Sequence, residues 1–363
     1  MSNRLTNVDG LRGIAAVLVI MGHWSEFIIN HSPGTTIARV LHTAQVEYFS
    51  SGRTGIVAFF CISGYVIPFS FRGTRPKTAF LISRFFRLYP AYWVSMGVGL
   101  VAISLVTDLH FSPFAILANA TMIPLYLKQI PIIGVYWTLH IELIFYGLCF
   151  LLFAGRGLHN AWVNFAMMSA FLAVGLLGGL YRFTHIESGF PIGFFTYLAA
   201  MHFGTLARLN FLEHHKTAAR LFPIALALLV ACVLMTNSFG YIDAHNEIMG
   251  WVATNTGYMT GLALFMLCIR RNLFGGPALA FVGLISYSLY LFHIPMVQFW
   301  QYIWPSIANW YVAALGGTLF VFGGVFLVAT LVQRYVERPM IRYARRLEKW
   351  VEQRSTAPVP SAA

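Results

Sequence analysis

Runs of about twenty apolar residues recur along nearly the whole chain, and they constrain its fold more than any other feature. A helix of that length crosses the hydrocarbon core of a bilayer. Only 10% of the 363 residues are charged and 58% are hydrophobic, which leaves too little polar surface for a water-soluble protein. The sequence therefore predicts an all-α, polytopic integral membrane helical bundle. We expect about ten transmembrane helices, at residues 10–29, 54–71, 89–107, 136–154, 162–180, 190–208, 221–236, 251–269, 281–303 and 311–333.

One further apolar stretch, from Phe111 to Leu127, is not counted among these spans. Pro113 and Pro124 interrupt it, and proline removes a backbone donor and breaks a helix. We expect this stretch to lie at the membrane interface, or to dip into the bilayer without crossing it.

The basic residues predict the orientation of the bundle. With the N-terminus in the cytoplasm, all of the 24 lysines and arginines but Arg39, Arg53, Lys128 and Arg182 fall on the cytoplasmic side. The positive-inside rule expects this bias, and it places both termini in the cytoplasm. Orientation and lipid contact account for the net charge of +12, so no nucleic-acid partner is expected. Residues 1–340 form one transmembrane domain in this interpretation, and residues 341–363 form a basic cytoplasmic tail with a disordered end.

Three ionisable residues mark one face of the first predicted span. Arg12 and His23 are eleven residues apart, about three helical turns or about 16 Å along the axis. Asp9 precedes Arg12 by three residues and can share its face. His23 then lies about halfway across the bilayer, where an ionisable group usually faces a cavity or a partner. Alternatively, Asp9 and Arg12 form an interfacial pair and His23 hydrogen-bonds to a neighbouring carbonyl.

Arg84 and Arg87 are the basic residues of the second connection that favour a ligand. They are three residues apart and share one face of a helix that enters the membrane. Arginine can bind phosphate oxygens bidentately, so the pair suits a phosphate-bearing ligand. A pure orientation signal is the other interpretation of these charges.

Glu142 is the carboxylate that we place well inside a predicted span. A buried glutamate is costly unless it is paired or functional, and His23, His293 or an arginine could be its partner. A contact with a histidine would orient the imidazole and raise its basicity. His140 points about 160° away from Glu142, so the two cannot face one cavity directly.

Other residues of the predicted spans have weaker functional signals. His293 precedes Pro295 and could satisfy the carbonyl that this proline frees. Tyr287 and Trp137 are packing or interface aromatics that could also line a pocket. The four cysteines have no metal-binding spacing, and no metal is expected.

Six segments, in order, resemble the motifs of the transmembrane acyltransferase family 3. They are VDGLRGIAAVLVIMGH, GIVAFFCISGYVI, RFFRLYPAYW, YWTLHIELIFY, SYSLYLFHIP and YVERP, from about Val8 to Pro339. Arg12 and His23 match the family's arginine-and-histidine pattern, and Arg84 and Arg87 match its Arg-x-x-Arg motif, which is associated with the acyl-coenzyme A donor. Glu142 matches the glutamate of a third motif.

The resemblance implies a ten-helix enzyme of the bacterial inner membrane. Such an enzyme moves an acyl group, usually acetyl, from cytoplasmic acyl-CoA to a hydroxyl of a polysaccharide, lipopolysaccharide or other glycan. Here Asp9, Arg12, Arg84 and Arg87 would serve the donor. His23, assisted by Glu142, would act as general base, with an acyl-histidine intermediate as the other route.

Three alternatives stay open at this stage. One is a transporter or flippase of a glycan intermediate, although no inverted repeat of broken helices is evident. The second is another membrane acyltransferase superfamily that also uses a histidine. The third is an acyltransferase of this family with a small-molecule acceptor.

Overall fold

The described part of the chain, in a computed structural model, is helical. It comprises residues 2–185, 189, 191–241, 250–307 and 309–356, and no strand occurs within them. Short 3-10 and π segments join some of the helices, including a π turn at Gln333–Glu337 between the last two. The helices are α1 (Ser2–His31), α2 (Thr36–His42), α3 (Ser51–Val66), α4 (Pro76–Val106), α5 (Pro113–Ala120), α6 (Trp137–Ala154), α7 (Ala161–Thr184), α8 (Ile192–Phe211), α9 (Lys216–Tyr241), α10 (Trp251–Arg270), α11 (Pro277–Ile303), α12 (Trp310–Val332) and α13 (Arg338–Thr356).

Nine helices of the described chain are long and apolar enough to cross a membrane. They are α1, α3, α4, α6, α7, α9, α10, α11 and α12, the last of which continues through the π turn into α13. The predicted polytopic helical bundle is therefore confirmed.

The sixth predicted span, residues 190–208, corresponds to α8, which is less apolar than the other nine. Its 20 residues measure about 30 Å, enough to cross the bilayer core. Helices α3, α7 and α9 pack around it, and most of its side chains are buried. Because protein rather than lipid covers this helix, it can carry Thr196, His202 and Thr205 within its length. Within the described residues, α8 is therefore a helix of membrane-spanning length in addition to the nine.

Close packing of α3 against α8 rests on two glycines. A Cβ on Gly64 would overlap the carbonyl oxygen of Met201, and a Cβ on Gly204 would overlap that of Cys61. Small residues at such crossings let helix backbones approach each other, as is typical of membrane bundles.

The segment between α4 and α6 contains no helix long enough to cross a bilayer, as expected. It contains α5, whose eight residues measure about 12 Å, and a 3-10 turn at Pro124–Leu127. Asn119 holds the segment together, because its side chain donates to the carbonyls of Ala115 and Ile130 and accepts from the backbone of Ile132.

Helix α4 begins well before the predicted span at 89–107. It starts at Pro76, so Arg84 and Arg87 lie within a continuous helix of 31 residues. Phe85, beside them, is exposed, whereas Leu88 is buried. The first third of α4 thus carries charge on a face turned towards the protein.

Candidate functional site

Three adjacent cavities lie inside the bundle. The basic cavity, of ≈ 570 Å³, contains six cationic side chains: Arg72, Arg84, Arg87, Arg208, Arg345 and Lys349. The narrow cavity, of ≈ 70 Å³, shares Arg84 and Arg87 with it. The aromatic cavity, of ≈ 880 Å³, shares Ile56 with the narrow cavity. The shared residues show that the narrow cavity lies between the two larger ones.

The order of the cavities follows the course of α3. Gly52 and Arg53, at its start, line the aromatic cavity, and Phe59 and Ser63, further along, line the narrow cavity. Val66, its last residue, lines the basic cavity. A helix of 16 residues is about 24 Å long, so the three cavities together extend through most of a bilayer's thickness.

The charges of the two larger cavities agree with the predicted relative sides of the membrane. Every arginine and lysine of the basic cavity comes from a segment that we predicted to be cytoplasmic. Arg53 and Arg182, predicted on the opposite side, both line the aromatic cavity.

Arg84 and Arg87 lie at the junction of the basic and narrow cavities, as their shared face predicts. Tyr146 and Phe80 flank the Arg84 guanidinium, whose carbon is 5.6 and 5.7 Å from the two ring centres. Its buried Nε has no hydrogen-bond partner among the described residues. These contacts hold the side chain without neutralising it, so its charge is available to a ligand.

Arg12 lines the narrow cavity but not the basic cavity. Its Nη1 is 3.5 Å from the Oδ1 of Asp9, so the predicted pair of residues forms. Arg87 and Glu142 are also among its electrostatic neighbours. Arg12 thus adds a third positive charge beside Arg84 and Arg87.

Glu142 faces the narrow cavity, but its contacts differ from those that we expected. The Tyr146 hydroxyl donates to its Oε1 at 2.6 Å, one helical turn away on α6. His140 instead lines the aromatic cavity, which agrees with the predicted angle between the two residues. The structure therefore places Glu142 at the narrow cavity with Arg12, whereas His23 lines the aromatic cavity.

His23 lines the aromatic cavity and has a carboxylate partner that the sequence analysis missed. Its Nδ1 is 3.3 Å from the Oε2 of Glu26, three residues further along α1. The spacing alone could have indicated this pair, because residues three apart share a helix face. A carboxylate accepts a hydrogen bond from Nδ1–H, which leaves the Nε2 lone pair available as a base.

His293 packs against His23, with ring centres 5.2 Å apart. Its Nδ1 donates to the carbonyl of Tyr290 at 2.6 Å, and its Nε2 has no hydrogen-bond partner within the described chain. The expectation that His293 satisfies the carbonyl freed by Pro295 is wrong. That carbonyl belongs to Leu291, four residues before the proline, and the hydroxyl of Ser95 donates to it at 2.8 Å.

Tyr287 and Trp137, the two aromatics suggested as pocket residues, line different cavities. Tyr287 faces the narrow cavity and donates to the carbonyl of Leu88 at 2.8 Å, which ties α11 to α4. Trp137 faces the aromatic cavity, 5.6 Å from the ring of Tyr197. Tyr126, Phe194 and Phe195 line the same cavity, which is therefore rich in aromatic faces.

No group of three or more histidine, cysteine or acidic side chains that could hold a metal occurs in the described ranges. The four cysteines are free thiols and lie apart from one another.

Comparison with known proteins identifies the family. Residues 5–334 match the acyltransferase 3 family, described as "Acyltransferase domain". The chain is also similar to Nodulation protein 10 of Rhizobium leguminosarum bv. viciae, with 27% identity over 167 residues. That match covers 40% of this chain and 43% of the relative, so the chain spans less than half of that relative's length in the alignment. No solved structure matches the chain.

The family match extends over all the helices that form the three cavities except α13. It confirms the resemblance drawn from the sequence motifs, and the helices confirm a multi-pass membrane protein. The chain belongs to the acyltransferase 3 family.

Proposed function

We propose that the protein transfers an acyl group, most simply acetyl, from acyl-CoA to a hydroxyl of a saccharide. The observation that supports this best is the order of the three cavities. A large basic cavity suits a nucleotide with several phosphates, and a constriction of ≈ 70 Å³ suits a thin pantetheine arm. Beyond the constriction, His23 borders a cavity of ≈ 880 Å³ that can take a second substrate.

The donor enters from the side of the basic residues, which we take to be the cytoplasm of a bacterial cell. Arg84 and Arg87 bind its diphosphate, with Arg12 beside them. The pantetheine arm runs along α1 through the narrow cavity. Arg12 and His23 are about 16 Å apart along the helix axis, so the arm carries the thioester from the phosphate site towards the histidine.

His23 acts as general base in the transfer. Glu26 accepts from its Nδ1–H, and Nε2 removes the proton from the acceptor hydroxyl. The oxygen attacks the thioester carbonyl, the carbon–sulfur bond breaks, and the CoA thiolate takes the proton back from the imidazolium. In the covalent variant, Nε2 attacks the thioester first and the acceptor then attacks the acyl-imidazole.

Glu142, which the sequence suggested as an aid to His23, has a different part in this proposal. Its carboxylate lines the narrow cavity with Arg12 and accepts a hydrogen bond from the Tyr146 hydroxyl. We assign it to ordering the positive charges along which the donor enters.

The acceptor is a saccharide in this proposal because of the chemistry of the aromatic cavity. Trp137, Tyr126 and Tyr197 offer flat faces on which sugar rings can stack, and His140 adds a polar group. The relative from Rhizobium leguminosarum is named for nodulation, which is compatible with a cell-surface or secreted carbohydrate.

The central experiment measures both halves of the reaction with the full chain in lipid nanodiscs. Acetyl-CoA consumption is followed by release of the free thiol, and envelope glycans are compared by mass spectrometry with and without the protein. We expect thiol release and a gain of one acetyl mass on a glycan. His23→Ala should lower the rate by roughly a hundredfold or more, which is the usual contribution of a general base.

His110→Ala is the matched control, because His110 is exposed in the loop after α4 and lines none of the three cavities. It should keep the wild-type rate. A correctly folded His23→Ala variant with wild-type transfer would overturn the role of His23. Glycan movement without thioester consumption would identify a transporter instead.

A further inference from the structure

Helix α13 forms one wall of the basic cavity. It packs against α4, and its side chains at that wall are Ile341, Ala344, Arg345, Glu348, Lys349 and Glu352. The positions recur at intervals of three or four residues, which is the period of one helix face. The sequence had suggested only a basic tail here, with charges that serve orientation and lipid contact.

The opposite face of α13 turns away from the cavity. Tyr343 and Trp350 are exposed, and so is Arg346. Arg345 and Arg346 are therefore neighbours in the chain that differ in one respect: the first lines the cavity and the second does not.

Contacts at both ends fix α13 in this position. At its start, the Ser288 hydroxyl on α11 donates to the buried carboxylate of Glu337. Near its end, the Oε1 of Glu352 accepts from the backbone N–H of Thr74 at 3.1 Å. Gly73 permits that approach, because its φ is +79° and a Cβ there would overlap the Glu352 oxygen.

The cavity that α13 closes carries a surplus of positive charge. Its six cationic side chains face two carboxylates, Glu348 and Glu352, and Glu352 is engaged by the loop before α4. Arg208 is paired with Glu213 at 3.0 Å. Arg345 has Glu348 as an electrostatic neighbour, but neither Arg345 nor Lys349 forms a close ion pair among the described residues. Such a surplus of positive charge, to which the exposed side chains of Arg345 and Lys349 contribute, suits a ligand with more than one phosphate.

The cationic residues lie at different positions relative to the narrow cavity, so they would meet different phosphates of a bound CoA. Arg84 and Arg87 line both the basic and the narrow cavity, so they meet the phosphates nearest to the thioester arm. Arg345 and Lys349 line the basic cavity alone, further from the constriction. In CoA the diphosphate adjoins the arm, and the 3′-phosphate on the ribose is the more distant group.

We propose that α13 is part of the donor site and that Arg345 and Lys349 bind the 3′-phosphate of the CoA ribose. This inference rests on the proposed acyl-CoA donor. The shared chemistry is a phosphate group, which an anionic lipid headgroup could also supply, so the test separates these two sources.

The test compares the affinities of the full chain for CoA and for dephospho-CoA, which lacks the 3′-phosphate. Nanodiscs of zwitterionic lipid alone provide the reference state. The wild type should bind CoA about tenfold more tightly than dephospho-CoA, which corresponds to one charge-assisted phosphate contact. Arg345→Gln combined with Lys349→Gln should remove most of this preference and leave dephospho-CoA binding unchanged. Arg346→Gln should keep the preference for CoA. Arg84→Gln should weaken the binding of CoA and of dephospho-CoA to the same extent.

Each outcome of this comparison decides a separate question. A wild type that binds neither CoA nor dephospho-CoA would overturn the proposed donor itself. Tight CoA binding with a preference unaltered by the double variant would overturn the role of α13 alone. A preference that is absent in zwitterionic nanodiscs, with anionic lipid competing for CoA in the wild type but not in the double variant, would assign these residues to a lipid headgroup instead.

Discussion

His23 and Glu26 form a histidine–carboxylate pair on a single helix, with Nδ1 and Oε2 3.3 Å apart. Both side chains are about one third exposed, and His23 lines the aromatic cavity. The neighbouring ring of His293 is fully buried and fixes the other side of the imidazole. These contacts orient His23 with its Nδ1 towards the carboxylate, and in the proposed reaction Nε2 is the nitrogen that meets the acceptor.

Glu26→Gln should lower turnover while leaving donor binding intact. Glutamine can still accept from Nδ1–H through its amide oxygen, but it removes the negative charge that stabilises the imidazolium. We expect kcat to fall about tenfold or more, with little change in KM for acetyl-CoA. Glu26→Asp should recover part of the rate, since it restores the charge. Equal losses in the glutamine and aspartate variants would instead indicate a purely structural role.

Arg87→Gln should weaken donor binding about tenfold, because it removes a charge-assisted phosphate contact at the junction of two cavities. The measurement is the Kd for CoA in nanodiscs. Arg75→Gln is the control, since Arg75 is an exposed arginine just before the same helix and lines none of the cavities. If the two variants bound CoA equally well, the phosphate site would lie elsewhere.

Glu142→Gln should affect binding more than chemistry. The carboxylate lines the narrow cavity together with Arg12, whose positive charge we propose it orders for the donor. We expect this variant to bind CoA more weakly than the wild type and to keep far more turnover than His23→Ala when acetyl-CoA is saturating. A loss of turnover as large as that of His23→Ala, with unchanged CoA affinity, would show that Glu142 takes part in proton transfer.

Gly64→Ala should destabilise the bundle. The added Cβ would meet the backbone of Met201 on α8, and overpacking of a rigid core costs about 1–3 kcal/mol. A fall in the melting temperature of the purified protein would report this effect. Gly97→Ala on α4 is the matched control, because nothing lies within 4 Å of the new methyl group. It should be neutral or slightly stabilising, as alanine is the better helix former.

Much of the fold could be predicted because a bilayer imposes simple rules. Apolar length marked the spans, and proline correctly indicated that the segment around α5 does not cross. Helix periodicity placed Arg84 with Arg87, and it separated His140 from Glu142. The hardest span to recognise was α8, because most of its side chains are buried in protein and Thr196, His202 and Thr205 interrupt its apolar residues.

The sequence by itself determined the helical membrane fold, the basic side of the bundle and the depth of His23 below Arg12. These properties depend on hydropathy, charge and helical rise, all of which are local along the chain. Only the tertiary structure decided which side chains meet. It placed Glu142 and His23 at different cavities, gave the carbonyl of Leu291 to Ser95, and folded α13 over the basic cavity. Such pairings depend on how helices far apart in sequence pack together, and no local pattern specifies that packing.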